Sequence, residues 1–145
     1  MADDFHLERF VRAQEGPVSY ASARDEIRAG RKMTHWIWYV FPQAAGLGRS
    51  ETSRHFAISG IDEARAYLSH PLLGPRLREI TELANQHASR GAGGIFLNDD
   101  VKFRSCVTLF SRAAPDDPVF RDALDLFFDG EPDERTLEIL AGQGQ

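Results

Sequence analysis

The 145-residue sequence has almost no cysteine and no long apolar segment. Its single cysteine, Cys106, excludes an internal disulfide bond and is typical of proteins from reducing compartments. The longest apolar run, WIWYVFP, is far shorter than the ~20 residues that a helix needs to cross a bilayer. The first residues, MADDFHLERF, lack the apolar core of a signal peptide. We therefore expect a cytoplasmic protein with no membrane partner.

Metal motifs and an excess of positive charge are also lacking. The five histidines have no histidine or cysteine partner at metal-ligand spacing, and no HExxH motif occurs, so the sequence predicts no metal site and no cofactor. The formal net charge of −5 argues against nucleic-acid binding, which requires a basic surface. A small anionic ligand, held by a few local cations, remains compatible with this charge. The sequence does not indicate an oligomeric state.

The remaining composition predicts one domain, residues 1–145, with an aromatic-rich core. Apolar residues make up 42% of the chain, and ten of them are phenylalanines. Helical spacing of apolar residues recurs in 4–14, 18–29, 50–59, 62–70, 74–88, 100–114, 119–130 and 132–140, whereas SRGAGG (89–94) is predicted as a loop. This pattern predicts an all-α fold of seven to eight short helices in an irregular, orthogonal bundle.

The segment THWIWYVFPQ is ambiguous between strand and helix. Its residue types favour a strand, but its spacing also permits a helix with Ile37 and Val40 inward and Thr34 as N-cap. No other segment is clearly a strand that could pair with it, so we predict a helix. The helix should end near Phe41, because a residue before proline disfavours the helical conformation.

The same segment suggests the first candidate site residues. His35 carries an imidazole that can act as a general acid or base near neutral pH. Trp36 and Trp38 offer flat faces on which a base or sugar ring can stack, and Gln43 can hydrogen-bond such a ring. The alternative is that both indoles are core residues and His35 has only a structural role.

The motif GLGRS supplies a second group of candidates. Gly46 and Gly48 permit close approach of the backbone to a ligand. Arg49 offers a forked donor for phosphate, and Ser50 lies at a predicted helix N-terminus, where free N–H groups favour an anion. The alternative is a simple glycine turn, with Ser50 capping the next helix.

The motif NDDVKFRSC supplies the third group. Lys102 and Arg104 lie in the first turns of a predicted helix, where the helix dipole disfavours cations unless they face carboxylates or a bound anion. Asp99 and Asp100 are the nearest carboxylates; one of them caps this helix or serves as the carboxylate that glycosidic cleavage requires. An anion site would combine side chains from three segments: Lys32, Arg49, Ser50, Lys102, Arg104 and Ser105. Cys106 lies in the apolar register and is predicted as core.

Four segments, FVRAQ, AGRKMTHWIWYVFPQAAGLGRS, ARAYLSHPLLGPRLRE and DDVKFRSCVTLFSRA, resemble in this order a bacterial family catalogued as domain of unknown function 1810. Some of its members carry the label calpastatin, which nothing in this sequence supports. The resemblance extends from about Phe10 to Leu140 and implies a small, mainly helical domain; it brings no catalytic residues. A fainter similarity, in size, helical content and a Trp-rich segment with lysine, is to helical domains of NAD and ADP-ribose metabolism.

These features predict that the protein binds or hydrolyses a phosphate-bearing small molecule, such as a nucleotide or an ADP-ribose derivative. His35, Asp99 and Asp100 are the candidate catalytic residues. The alternative is a non-enzymatic interaction or scaffold domain. Adjacent phenylalanines on one helix cannot both face the same core, so Phe127 or Phe128 would then lie at a partner surface.

Overall fold

The computed structural model describes residues 3–143 and has the predicted all-α fold. The helices, in chain order, are α1 (Glu8–Gln14), α2 (Tyr20–Arg28), α3 (Ile37–Val40), α4 (Glu51–His55), α5 (Ile61–Ser69), α6 (Leu73–Asn85), α7 (Gly91–Phe96), α8 (Asp100–Ala113), α9 (Pro118–Phe128) and α10 (Glu134–Gly142). Single 3-10 turns cover Ala88–Arg90 and Leu97–Asp99. The predicted helices are confirmed, with ends that differ by a few residues.

Helix α8 lies at the centre of the bundle. It packs against α5, α7, α9 and α10, while α6 forms a second layer against α2, α5 and α9. Almost every α8 side chain beyond its first turn is buried, as expected for a helix that is surrounded by others. Two of its buried polar residues, Ser105 and Thr108, donate hydroxyl hydrogen bonds to carbonyls one turn earlier, so they cost little inside the core.

The core is built on aromatic rings, as the composition predicted. Phe96 and Phe103 stack with ring centroids 4.2 Å apart, and Phe41 meets both rings edge-on at 5.4 and 5.3 Å. Cys106 is fully buried, which confirms its assignment to the core. The Trp-rich segment therefore contributes to the core through Phe41, and this fixes the position of the residues around it.

The Trp-rich segment is helical for only one turn, α3. The helix ends at Val40, close to the end near Phe41 that was predicted from the proline at position 42. The prediction that Thr34 caps it is wrong, because the Thr34 hydroxyl donates to Glu26 instead. After Phe41 the chain is extended and forms a single parallel bridge between Ala44 and Ile58. This bridge holds the glycine turn that follows.

Two further expectations fail for reasons of packing. Residues 89–94 are not a loop: a 3-10 turn runs into α7, because burial of Ala92, Ile95 and Phe96 offsets the cost of glycine in a helix. The adjacent Phe127 and Phe128 are both half-buried and pack on Phe103, at 5.4 and 6.1 Å between ring centroids. The expectation that the two rings cannot both face the core is therefore wrong.

Candidate functional site

The chain contains two lysines against fifteen arginines, and both lysines bind the same carboxylate. Lys32 Nζ lies 2.9 Å from Asp99 Oδ2, and Lys102 Nζ lies 3.0 Å from Asp99 Oδ1. Each ammonium also lies over one of the two tryptophans: Lys32 is 5.2 Å from the Trp36 ring centroid and Lys102 is 5.4 Å from that of Trp38. These five residues form what we call the lysine cluster.

The lysine cluster carries more positive than negative charge. Burial acts to raise the pKa of Asp99, but the hydrogen bonds and charges of Lys32 and Lys102 outweigh it and hold the pKa below its usual value. Asp99 is therefore ionised at neutral pH, and two ammonium groups share its single charge. The Lys32 side chain is 7% exposed and that of Lys102 is 33% exposed, so Lys102 is the one within reach of a solute.

The cluster is assembled from three parts of the chain. Asp99 precedes α8 and Lys102 lies one turn further along. Lys32 lies in the loop after α2, and its backbone N–H donates to the Ile95 carbonyl of α7 at 2.7 Å. Because α7 leads into the turn that carries Asp99, this hydrogen bond fixes the position of Lys32 relative to the Asp99 carboxylate.

Glu26 of α2 holds the loop that carries Lys32. Its Oε1 accepts from the Met33 and Thr34 backbone N–H groups and from Trp36 Nε1, at 2.7, 3.0 and 2.8 Å. Burial acts to raise the pKa of Glu26, but these hydrogen bonds and that of the Thr34 hydroxyl lower it overall. Sequence reasoning missed Glu26, because its partners lie across a loop and make no local motif.

A small cavity of about 220 Å³ lies beside Trp38. It is lined by Trp38, Gln43, Ala44, Ala45, Gly46, Gly48, Ser53, Arg54 and Ala57. Trp38 thus lines the cavity and also contacts Lys102 of the lysine cluster. The sequence had identified Trp38, Gln43 and the two glycines as candidates; it missed Ser53 and Arg54, which reach the cavity from α4.

The amide of Gln43 is the most unusual polar group at this cavity. Gln43 is 4% exposed, and its Nε2 has no hydrogen-bond partner among residues 3–143. Its backbone is well anchored, since its carbonyl accepts from the Ile58 N–H at 2.9 Å. A buried amide without a partner is costly and uncommon in folded proteins, which makes it a candidate ligand contact.

The glycine turn is required by the protein's own packing. Gly46 has φ of +102°, a conformation that other residues rarely adopt. At Gly48 an added Cβ would lie 2.5 Å from Ser53 Cβ and 3.1 Å from Trp38 Cη2. The predicted close approach therefore occurs, but it brings the backbone against Ser53 and Trp38.

Replacing Gly48 with alanine is therefore expected to lower the free energy of unfolding by about 1–2 kcal/mol, because Trp38 or Ser53 must move. Urea denaturation measures this loss. Gly93→Ala is the matched control: its new Cβ would lie 4.0 Å from the nearest heavy atom outside its own helix, a carboxylate oxygen of Asp100, and the substitution should stabilise helix α7 by up to about 1 kcal/mol. Equal effects of the two substitutions would contradict the tight packing at Gly48.

Three predicted residues lie at or near the surface without the expected contacts. His35 and Arg49 are exposed, and neither makes a side-chain hydrogen bond or ion pair within the described part of the chain. Ser50 caps α4 by accepting from the Ser53 N–H at 3.1 Å, which is the alternative weighed from the sequence. Helix α4 has only five residues, so we do not retain Ser50 as an anion ligand.

Four other candidates are either buried or bonded within the protein. Trp36 is 1% exposed, so its face is not open to a ligand. Arg104 donates to the Glu131 carbonyl at 3.0 Å and lies over the Phe128 ring. Ser105 donates to the carbonyl of Val101, and Asp100 accepts from the N–H of the same residue. Asp99 holds the N-cap position of α8, as predicted, but its carboxylate binds the two lysines and makes no capping hydrogen bond.

Among residues 3–143, no group of three or more histidine, cysteine, aspartate or glutamate side chains is arranged to hold a metal ion. Within the same range, no helix is both long and apolar enough to cross a membrane.

Comparison with known proteins places the chain in a family. The family model described as "Protein of unknown function (DUF1810)" matches residues 4–140. No curated protein matches the chain. The crystal structure of the conserved hypothetical protein Rv1873 from Mycobacterium tuberculosis is 48% identical, with 96% of this chain and 99% of that chain covered and a TM-score of 0.92. The chain therefore belongs to the DUF1810 family, as its sequence resemblance had indicated.

Proposed function

We propose that this protein binds a small phosphate-bearing ligand, such as a nucleotide or an ADP-ribose derivative, at the lysine cluster and the cavity beside Trp38. The observation that carries the proposal is the convergence of both lysines of the chain on Asp99, with one positive charge in excess. Apart from five histidines, all other basic side chains are arginines. A lysine ammonium is a compact charge with three N–H donors. It can therefore bind the Asp99 carboxylate with one donor and a phosphate oxygen of the ligand with another.

Lys102 is the residue that would meet the phosphate. One of its three donors serves Asp99 at 3.0 Å, and a third of its side chain is exposed to solvent. The Lys32 side chain is buried, so it adds positive charge to the site without contacting the phosphate directly. Because both ammonium groups are partly removed from water, their field acts on an incoming anion with less screening than at an open surface.

The cavity limits how much of the ligand is enclosed. Its volume of about 220 Å³ is below the roughly 300–1,000 Å³ of pockets that enclose a drug-sized molecule. It fits one ring or sugar, while the phosphate stays near Lys102. Trp38, which contacts both sites, then connects the neutral and the charged parts of the ligand.

Binding is better supported than hydrolysis. The low pKa of Asp99 keeps its carboxyl ionised at neutral pH, so it is a poor proton donor. His35 is exposed, and no described residue orients its ring through a hydrogen bond. A general acid or base requires such orientation toward the reacting atom.

One larger groove has the wrong charge for this ligand. A groove of about 690 Å³ between α6 and α9 is open and lined by several acidic side chains, namely Glu82, Asp117, Asp122 and Asp125, against one arginine, Arg78. An anion would be repelled there. A second groove, of about 400 Å³, is lined by Arg65 and Arg112 and by no carboxylate, but neither lysine lines it and it is more open than the cavity beside Trp38. We place the ligand at the cavity beside Trp38 because this cavity is more enclosed and Trp38 also contacts Lys102.

Isothermal titration with ADP-ribose, AMP and inorganic pyrophosphate tests the proposal, with adenosine as a phosphate-free control. We expect at least one phosphate compound to bind, and its affinity to fall about 10- to 100-fold in Lys102→Met, in line with the loss of a charge-assisted hydrogen bond. Binding should also weaken as salt is added.

Arg104→Met is the matched control, because Arg104 lies two positions from Lys102 on α8 but binds Glu131. Its affinity should equal that of the wild type. Absence of binding for all three phosphate compounds, or equal losses in Lys102→Met and Arg104→Met, would contradict a site at the lysine cluster.

The second candidate is a non-enzymatic interaction domain, favoured by the exposed apolar side chains that flank the cluster. Met33, Leu97 and Val101 are 70%, 43% and 61% exposed, and each lies within two positions of Lys32, Asp99 or Lys102. Leu97 also has φ of +57°, which is unusual for leucine. Light scattering of wild type and Met33→Lys tests self-association through this rim; a strict monomer excludes it.

A further inference from the structure

We propose that the cavity beside Trp38 is a subsite for a neutral ring that bears a carbonyl group, with the Gln43 amide donating to the carbonyl oxygen. This inference rests on the proposed function, since it assigns the uncharged part of the ligand. It specifies the chemistry of that part: flat, uncharged and equipped with a hydrogen-bond acceptor, as in a carboxamide-bearing or pyrimidine ring.

The first support is the state of Gln43 itself. Its side chain is almost completely buried, lines the cavity, and has an Nε2 without a partner among the described residues. The chain on either side is fixed by the Ala44–Ile58 bridge, with the Ala45 N–H donating to the Ile58 carbonyl at 2.8 Å. The backbone at Gln43 is thus held in place, whereas the Nε2 of its side chain is buried without a partner among the described residues.

The second support is the polarity of the cavity lining. Several lining acceptors are already used: the Gln43 carbonyl accepts from Ile58, the Ala57 carbonyl from Arg9, and the Gly46 carbonyl from Arg135. The Ser53 hydroxyl donates to the Ser50 carbonyl. What remains at the side chains is the Gln43 amide, which can donate through Nε2 and accept through Oε1, and the Arg54 guanidinium, which forms no ion pair within the described part of the chain.

The third support is shape. Trp38 supplies an aromatic wall, while Ala44, Ala45 and Ala57 supply small apolar ones. A flat ring can stack on an indole face, and small side chains leave room for it. A donor at one point of an otherwise apolar cavity fixes the orientation of such a ring. An apolar ring without an acceptor would leave Gln43 unpaired and should bind less well.

Titration with benzamide, followed by NMR, tests the subsite, with toluene as the analogue that lacks the carbonyl. We expect saturable binding of benzamide, a shift of the Gln43 side-chain amide signal, and weaker binding of toluene. Gln43→Leu should weaken benzamide binding at least tenfold. The same substitution should leave the thermal midpoint of the free protein unchanged or raised, because it removes a buried amide that has no partner; a purely structural glutamine would show a lower midpoint.

Gln86→Leu, at an exposed position after α6, is the control and should bind like wild type. Absence of benzamide binding, or equal affinity in wild type and Gln43→Leu, overturns the subsite. Lys102→Met separates the two proposals, because a neutral probe does not need the ammonium group and should bind this variant normally. Phosphate binding that depends on Lys102 without benzamide binding would overturn the subsite alone; the reverse result would overturn the phosphate site alone.

Discussion

Asp99→Asn is expected to lower the free energy of unfolding by about 2–4 kcal/mol. The substitution keeps the shape of the side chain but removes its charge, so Lys32 is left 7% exposed beside Lys102 without a counter-ion. Breaking a buried ion pair on one side is costly because the remaining charge cannot return to water. Urea denaturation at neutral pH measures the loss.

Asp100→Asn is the matched control for this prediction. Asp100 is the next residue, and its carboxylate accepts a hydrogen bond from the neighbouring Val101 N–H. We expect a change below about 1 kcal/mol, as for an ordinary surface position. Similar losses in the two variants would show that Asp99 does not hold the two lysines in solution.

The pH dependence of the Asp99→Asn effect has a defined sign. The pKa of Asp99 is lowered in the folded protein from an ordinary value of 3.8, so the carboxylate stabilises the fold at every pH above that value. This contribution disappears as the pH falls through the lower, folded-state pKa. The difference between wild type and Asp99→Asn should therefore be constant from neutral pH down to mildly acidic pH and shrink below about pH 4.

A bound phosphate ligand should partly restore the stability that Asp99→Asn loses. Asp99 competes with an incoming phosphate for the two ammonium groups, so Asp99→Asn should bind ADP-ribose more tightly than wild type does while being less stable alone. Saturating ligand, at about a hundred times its dissociation constant, adds about 2.7 kcal/mol to stability. A carboxylate that only supports the fold would give no gain in affinity.

Glu26→Ala is expected to lower the free energy of unfolding by about 2–3 kcal/mol, the second largest effect. Its carboxylate accepts from two backbone N–H groups, the Thr34 hydroxyl and Trp36 Nε1. The loop N–H groups can rebind water, but the Trp36 indole is 1% exposed and its Nε1 loses its partner. Urea denaturation measures the loss, and tryptophan fluorescence should report a changed indole environment.

Asp25→Ala on the same helix is the control. Asp25 forms only exposed ion pairs at 3.7 and 3.8 Å, which contribute little to stability. If Glu26→Ala is no more destabilising than Asp25→Ala, the carboxylate does not hold the loop. Lys32 would then lack the support that positions it against Asp99.

Much of the fold was predictable because it depends on local patterns. The helical spacing of apolar residues in 100–114 correctly predicted the central helix, and that in 119–130 predicted α9 to within two residues at each end. The glycines at 89–94 led to the wrong prediction of a loop, because burial of Ile95 and Phe96 stabilises helix α7 there. That decision depends on α8, against which α7 packs, and no window of local sequence contains it.

The candidate site was predictable only in part, for the same physical reason. Lys32, Asp99, Lys102, Trp38 and Gln43 were identified as residue types suited to an anion or a ring. Their pairing, with both lysines on one carboxylate, depends on how the loop after α2 meets α7. Arg49 and His35 have equally suitable chemistry but are exposed, and Arg104 binds the Glu131 carbonyl. The scarcity of lysine was the one compositional signal that could have singled out the pair.

The most direct measurement is an NMR titration of protein carrying isotope-labelled lysine side chains. The chain has only Lys32 and Lys102, so two ammonium signals report on the cluster without ambiguity. Our proposal predicts that both signals shift, with one shared saturation curve, as ADP-ribose or another phosphate compound that binds is added. Binding that shifts signals elsewhere in the protein and leaves both ammonium signals unchanged would contradict a phosphate site at the lysine cluster.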